Sequence, residues 1–289
     1  MKVPEEVLRL LQCPACSAQL SGDNSGLICK APRGHRFSIE EGFLTFAKPP
    51  AGKYDPGYAA RYAALWAFGY ETLHSGLDEP LYRTVSSLVA EALAARPKGD
   101  PPAIVDCGCG VGRVAADCAG LVPDGVVLAL DGSLSMLGLA ERIVHGRGTV
   151  DLDLSADGFG SLSIPARVRA NVHLLRGDVE NLPVADGCAD LALSVNIIDR
   201  LPHGPEWALA ECHRLLRPGG RLVFTDPLNW TEAVLWEKYG DRNKVLSFIE
   251  GLGFKIETWF DALAYREILD QRGSFEEFRT LVVLALKRN

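Results

Sequence analysis

Apolar positions along this chain follow two rhythms. Short continuous runs, "AIVDCG" at 103–108, "GVVLALD" at 125–131, "NVHLLRGD" at 171–178 and "ADLALSVN" at 189–196, read as buried strands. "RVAADCAGLV", "SLSMLGLAERIV" and "PEWALAECHRLL" instead place apolar residues three to four positions apart, as helices with one buried stripe do. "GGRLVFTDP" returns to the strand rhythm. Such alternation predicts an α/β fold, a mostly parallel sheet covered by helices. The tail segments "GFKIETWF" and "FRTLVVLALKR" supply two further strands.

Breakers divide the rest. Residues 1–48 carry short strand-like stretches ("GLIC", "HRFSI", "FLTFA") separated by polar turns, and read as a small domain of their own. "KPPAGKYDPG" at 48–57 is a Pro/Gly linker, and "ARPKGDPP" at 95–102 is a second junction. Between them, Tyr58, Tyr62, Trp66, Tyr70 and His74 recur every four residues, the spacing of one helical stripe that Gly69 is placed to interrupt. The expected division is therefore 1–48, a linker with aromatic lid helices over 49–100, and an α/β domain over 101–289. Residues 145–169 are too long for a simple helix-to-strand connection and read as an insertion near an opening.

Composition narrows the class. At 289 residues, with 47% apolar and 23% charged residues, the chain has the makeup of an ordinary globular protein. No apolar run approaches membrane-spanning length, and the N-terminus lacks the apolar core of a secretory signal. The cytoplasm is the expected location, where eight cysteines point to thiols or a metal site rather than disulfides. The formal charge of −7 offers no general attraction to nucleic acid. Residues 1–50 hold six Lys/Arg against five Asp/Glu, so the remaining chain carries −8.

Candidate chemistry begins at "VDCGCGVGR", between a strand and a helix. Gly108, Gly110 and Gly112 supply the absent Cβ atoms and free φ that let a ligand approach the backbone at a helix N-terminus. Cys107 and Cys109 are then small residues packed beside the loop; a metal or redox pair would need partners that nothing nearby offers. Arg113 stands where the dinucleotide fingerprint has its third glycine. Asp131 ends the next strand, placed to accept from a ribose diol, and Asp178 ends the third, where an adenine amino group would lie. The plainer reading is that strand-end aspartates cap the following helices.

Taken in order, "VDCGCGVG", "LALDGSLSML", "LLRGDVENLPVADGCADLALS" and "ALAECHRLLRPGGRLVFTDP" resemble the motifs of class I S-adenosylmethionine-dependent methyltransferases over roughly residues 100–228. That resemblance implies a Rossmann-like seven-stranded sheet whose last strand is antiparallel. It also implies that Asp106, Gly108, Gly110 and Gly112 hold the methionine part of the cofactor, Asp131 the ribose hydroxyls, and Asp178 with Val179 the adenine, while Asn196 faces the methyl donor.

In the head, Cys13-x2-Cys16-x12-Cys29-x5-His35 offers three thiolates and an imidazole, enough for a closed tetrahedral zinc site whose binding energy would fold a segment with little core. The alternatives are a ribbon that keeps the pair but binds nothing, and a redox pair, against which the lack of a surrounding βαβ unit counts. "LLQCPACSAQL" and "GHRFSIEEGFLTFA" resemble the zinc ribbon that precedes the methyltransferase domain in bacterial 23S rRNA guanine-N1 methyltransferases, as well as small free-standing methyltransferase activators. The Cys29–His35 gap is longer than theirs, and the charge is acidic.

"SVNIIDRLPHG" at 194–204 falls where a substrate pocket should open, without the Asn/Asp-Pro-Pro-aromatic motif of many amino-group methyltransferases. Asp199 and His203 are the candidate general bases. Against them stand a plain Asp199–Arg200 pair and a solvated histidine. Tyr265, Arg266 and Glu267 form a pocket wall or a solvated, self-paired face. The expected activity is methyl transfer to a small, planar or cationic molecule. An rRNA base is the alternative, with the ribbon docking RNA; a non-catalytic cofactor-binding adaptor and a nicotinamide dehydrogenase are the other readings.

Overall fold

The structure is a computed structural model. It describes residues 3–23, 25–32, 34–47, 56–69, 73, 80–97 and 99–288. Most of the linker expected over 48–57 lies outside this set, as do Tyr70 and His74 of the aromatic stripe.

After a one-turn helix α1 (Glu5–Leu8), the head folds as four short antiparallel strands, β1 (Leu20–Asp23), β2 (Gly26–Cys29), β3 (Arg36–Glu40) and β4 (Phe43–Thr45). Helix α2 (Pro56–Arg61) runs directly into a π-helical turn, Tyr62–Ala67, and α3 (Pro80–Ala94) follows. The alternating region then gives β5 (Ala103–Cys107), α4 (Arg113–Leu121), β6 (Val126–Asp131), α5 (Leu134–Val144), the hairpin β7 (Thr149–Leu154) and β8 (Gly160–Pro165), β9 (Val172–Arg176), β10 (Ala189–Val195) and α6 (Pro205–Leu215). Then come β11 (Leu216–Asp226), α7 (Ala233–Tyr239), α8 (Arg242–Gly251) and a long hairpin of β12 (Phe254–Ile268) and β13 (Phe275–Lys287).

The sheet runs β9-β6-β5-β10-β11-β13-β12 through the α/β region. These seven strands are parallel apart from β13, which is antiparallel to both neighbours, as the resemblance implied. All five residues of β5 are buried, which is why its sequence is a continuous apolar run rather than an alternating one. Chain order reverses between β5 and β10, so their carboxyl ends diverge and open a crevice, the usual ligand position in such sheets.

The head is not a bead on a string. β4 pairs in parallel with β9, Leu44 opposite Leu175 and Thr45 opposite Arg176, so the ribbon extends the sheet to eleven strands. Arg176 also reaches Glu40 at 3.1 Å. Val7, Leu11, Cys13 and Leu27 share one buried cluster with Leu130, Leu175 and Val184. The sequence break at residue 48 is thus no break in hydrogen bonding or core.

The long 145–169 connection is ordered as the β7–β8 hairpin, a separate two-stranded sheet. Its Leu152, Phe159 and Ile164 pack against Ala63, Leu65 and Phe68 in one cluster, buttressing the aromatic segment from behind. Helices α7 and α8 carry weak apolar periodicity and were not anticipated; Leu235 and Val245 bury their inner faces.

Candidate functional site

Below the crevice, β5 ends at the glycine loop. Gly108, Gly110 and Gly112 all have positive φ, at +81°, +52° and +78°. Their roles differ. A Cβ on Gly108 would lie 2.8 Å from Ile197 Cγ2, and one on Gly112 2.9 Å from Val144 Cγ2, so these two make room for protein. One on Gly110 would meet only the Tyr62 ring, at 3.5 Å.

The loop's N–H groups are largely used within the protein. Gly108 and Cys109 both donate to the Leu130 carbonyl at 2.8 Å, Gly112 donates to Cys109, and Gly110 donates to Asp131 Oδ2 at 2.9 Å. With four of the loop's N–H groups used in this way, what the loop offers a ligand is close approach to bare backbone at Gly110. What the site suits is a ligand whose charge complements the carboxylates beside the loop.

The acidic side chains agree with that. Asp106 is 1% exposed, and its Oδ2 has no hydrogen-bond partner among the described residues. Burial, and then the charge of Asp131, push the Asp106 carboxyl up to about 7. An orphaned, buried acceptor of this kind costs stability until a donor arrives. Asp131 is also pushed up by burial, opposed by the N–H groups of Ser133 and Gly110 that its two oxygens accept at 2.8 and 2.9 Å. Each oxygen retains acceptor capacity for a diol.

A narrow cleft, open to solvent, lies between the loop and the aromatic segment, lined by Asp106, Gly108, Val111, Arg113, Tyr62 and Tyr82. The π-helical turn carries Tyr62 over Gly110, with Phe68 N–H bonding back to the Ala63 carbonyl at 2.9 Å. Tyr58 and Tyr62 each meet Trp66 edge-on at 5.6 Å. Arg113 fastens this lid: its guanidinium lies 4.4 Å from the Tyr82 ring centre and 5.0 Å from that of Phe68, and it donates to the Ala67 carbonyl. The residue that breaks the dinucleotide fingerprint thus holds the aromatic roof.

The remaining predicted residues are not part of this cleft's lining and sit in distinct settings. Asp178 is half-buried, with Oδ1 accepting the Glu180 N–H at 2.9 Å, and Val179 is buried beside it. Asn196, with φ +53°, follows β10, its Oδ1 accepting from Thr225 Oγ1 at 2.7 Å. Asp199 is 1% exposed; its oxygens meet Arg200 Nε at 3.4 Å and Asn229 N–H at 3.3 Å. Beside it the fully buried Asp226 accepts from the N–H groups of Ile198, Asp199 and Leu228; burial, then the charge of Asp199, raise its carboxyl. His203 is half-exposed, 2.9 Å from Glu180 Oε2 through Nδ1 and stacked 3.9 Å from Trp207. It therefore stands beside the Asp178–Glu180 loop.

Sequence reasoning missed Glu180, Tyr82 and Asp226. Glu180 is a surface-type residue whose burial no local pattern signals, Tyr82 is one apolar position of an ordinary helix, and Asp226 ends a strand in the way a helix cap would. Cys107 and Cys109 are buried as expected; Cys107 Sγ lies 3.8 Å from Cys212 Sγ, and Cys109 faces the Gly110 carbonyl.

In the head, Cys13, Cys16, Cys29 and His35 come together with their ligand atoms all within 4.8 Å of one another. Cys16 Sγ is 3.3 Å from Cys29 Sγ, and His35 Nδ1 is 3.4 Å from Cys13 Sγ and 3.7 Å from Cys16 Sγ. Zinc bond lengths of about 2.3 Å to sulfur and about 2.0–2.1 Å to nitrogen give tetrahedron edges of roughly 3.5–3.8 Å. The set fits a zinc ion, with the longer Cys29–His35 gap absorbed by the turn before β3.

A methyltransferase-domain family profile matches residues 105–224, from β5 through most of β11. A Micromonospora griseorubida protein, named as a 23S rRNA (guanine-N(1)-)-methyltransferase, is 30% identical over 77% of this chain and 67% of its own length. A dimethylglycine N-methyltransferase of Parasynechococcus marenigrum is 29% identical, over 68% of each chain. The chain spans only 35%, 30% and 42% of the length of three other curated relatives that it matches. Among solved structures, a Haloferax volcanii complex of the Trm112 methyltransferase activator with a methyltransferase superposes with a TM-score of 0.51, covering 83% of this chain and 100% of that one, at 16% identity, a likeness of fold. No helix among the described residues is long and apolar enough to cross a membrane. With the seven-strand order, the glycine loop and these relatives, the chain belongs to the class I S-adenosylmethionine-dependent methyltransferases, and its architecture resembles that of the bacterial 23S rRNA guanine-N1 enzymes.

Proposed function

We propose that this methyltransferase acts in the cytoplasm on a nucleophilic atom of a small molecule, planar or cationic in character. The observation that carries the reading is the lining of the cleft: carboxylate and phenol groups, with the cation Arg113 already committed to Tyr82, Phe68 and the Ala67 carbonyl. Among the described residues that line it, a polyanionic acceptor finds no counter-charge besides Arg113. In this reading the Asp106 carboxylate receives the ammonium of the methionine part, and the bare Cα atoms of the glycine loop let that part lie flat. Asp131 takes the ribose hydroxyls, Asp178 and Val179 the adenine, and Asn196 faces the methyl donor. S-adenosylmethionine supplies an electrophilic methyl on a sulfonium; the protein's share is alignment and exclusion of water under the Tyr62–Tyr82 roof.

Asp199 and His203 take supporting parts here. Asp199 is enclosed by Arg200, Asn229 and Asp226 and acts as a strut for the turn after β10. His203, tethered by Glu180, closes the adenine end. The Cys13–Cys16–Cys29–His35 set holds a structural zinc ion that stiffens the ribbon against β9. The relative named for dimethylglycine supports a small acceptor.

A second reading, methylation of an rRNA base with the ribbon docking RNA, has its support in the Micromonospora relative's name. Labelled methyl from S-adenosylmethionine, offered to host extract and separated into RNA, protein and small molecules with an Asp106→Ala control, decides between them. Label in small molecules is expected; label in large RNA that ribonuclease destroys rejects the first reading and selects the second.

A further inference from the structure

One partly buried carboxylate, reached from the cleft through Tyr82 and Tyr265, has no part in the cofactor reading above. Tyr82, which lines the cleft, meets the ring of Tyr265 edge-on at 6.3 Å. Tyr265 and Glu267 are alternate residues of β12, so their side chains leave the strand on the same face. Glu267 is partly buried there, near enough to Tyr62 and Tyr265 for its charge to push both phenols up, after burial and Tyr82 in each case.

Its surroundings hold it in an unusual state. Glu267 stands directly opposite Glu276 in the β12–β13 ladder, a pairing of like charges that a sheet avoids. The charged groups whose fields reach it are Glu276 from β13, Asp199 and Arg200 from the turn after β10, and Arg61 from α2, while its own charge reaches Tyr62. The two cations are spent elsewhere, Arg200 on Asp199 and Arg61 on Asp157 at 2.9 Å and over Trp66. Burial first, then Glu276, push the Glu267 carboxyl up to about 7.

We propose that Tyr62, Tyr82 and Glu267 form the acceptor subsite, and that the acceptor is an amine which arrives as its cation and gives its proton to Glu267; this rests on the small-molecule reading above. Phenol rings, the Tyr82 ring already carrying Arg113 over it, and one carboxylate are surroundings that suit an ammonium group. An ammonium nitrogen has no free pair, so it must lose a proton before it reacts. The proton passes to the Glu267 carboxylate and the nitrogen pair forms the N–CH3 bond. The pair of the broken S–CH3 bond stays on sulfur, leaving a thioether and a methylated ammonium. A carboxyl poised near neutrality is matched to that transfer.

The test has three arms. Labelled small molecules from extract are split on a cation exchanger; retained label is expected. Glu267→Gln is expected to lower transfer by about 100-fold or more, keep S-adenosylmethionine affinity within about twofold, and weaken binding of tetramethylammonium, the calorimetric probe, by about tenfold. The exposed Glu276→Gln should instead move the acid limb of the kcat/KM profile to lower pH, a readout that stands even where Glu267→Gln fails to fold. Small-molecule label that is not retained, full activity in Glu267→Gln, or an unmoved limb in Glu276→Gln overturns the subsite while leaving the small-molecule reading in place. Label confined to RNA overturns both.

Discussion

Alanine placed at each loop glycine in turn separates the space kept for protein from the space kept for ligand. All three positions carry a left-handed φ, which costs an L side chain roughly 1–2 kcal/mol. At Gly108 and Gly112 the new methyl also sits 2.8–2.9 Å from a branched methyl group of Ile197 or Val144. Overpacking of that kind adds roughly 1–3 kcal/mol. Gly110→Ala meets Tyr62 at an ordinary 3.5 Å, so its stability cost stays at the backbone term alone. Its methyl nevertheless enters the slot between loop and lid. We expect S-adenosylmethionine affinity to fall at least about tenfold, which is about 1.4 kcal/mol. Gly148→Ala is the control, with φ +76° and nothing within 4 Å. Thermal melts with and without saturating cofactor read both quantities, because a ligand stabilises according to its concentration relative to Kd. The apo melting temperature should fall about twice as far for Gly108→Ala and Gly112→Ala as for Gly110→Ala and Gly148→Ala. The cofactor-induced rise should shrink most, relative to the apo change, in Gly110→Ala. A Gly110→Ala protein with the full cofactor-induced rise refutes the claim that this glycine faces ligand.

Asp106→Asn should weaken cofactor binding yet stabilise the apo protein at pH 8. The Asp106 carboxyl is raised from 3.8 to about 7, so its folded form binds a proton that the unfolded form has released. Apo stability is therefore full below about pH 4 and lost as pH rises towards 7, by up to about 4 kcal/mol from this group; the variant's melting curve should be flatter over that window, and an unchanged slope argues against the burial. Purified protein should contain one zinc per chain by elemental analysis, and Cys29→Ser should lose both the metal and several degrees of melting temperature, since the ribbon is hydrogen-bonded to β9; metal-free protein with wild-type stability contradicts this. Arg113→Lys should cost about 1–3 kcal/mol and speed proteolysis within 56–69, because lysine keeps the charge but loses the planar stack on Tyr82 and Phe68; protease resistance equal to wild type removes Arg113 from the lid.

Features that follow from local rules and chain order can be read from the residues alone. A strand buried on both faces must be an apolar run, and positive φ demands glycine, so β5, the loop at 108–112 and the alternation after them are legible without coordinates. The two-residue Cys13–Cys16 spacing likewise announces a turn that presents both sulfurs, and His35 joins them as the spacing implied. Features that depend on distant partners emerge once the chain is folded. The docking of β4 on β9 joins residues about 130 positions apart, and nothing in either strand's rhythm names the other. The loop's N–H groups are consumed by Leu130 and Asp131, a fact set by the register of β5 against β6. Glu180 and Glu267 look like surface residues in sequence; only the fold pairs Glu180 with His203 and sets Glu267 opposite Glu276 in the β12–β13 register. Local geometry is written in neighbouring residues, whereas burial and charge environment are sums over whatever the fold brings near; that is why the loop was visible in advance and the acceptor subsite was not.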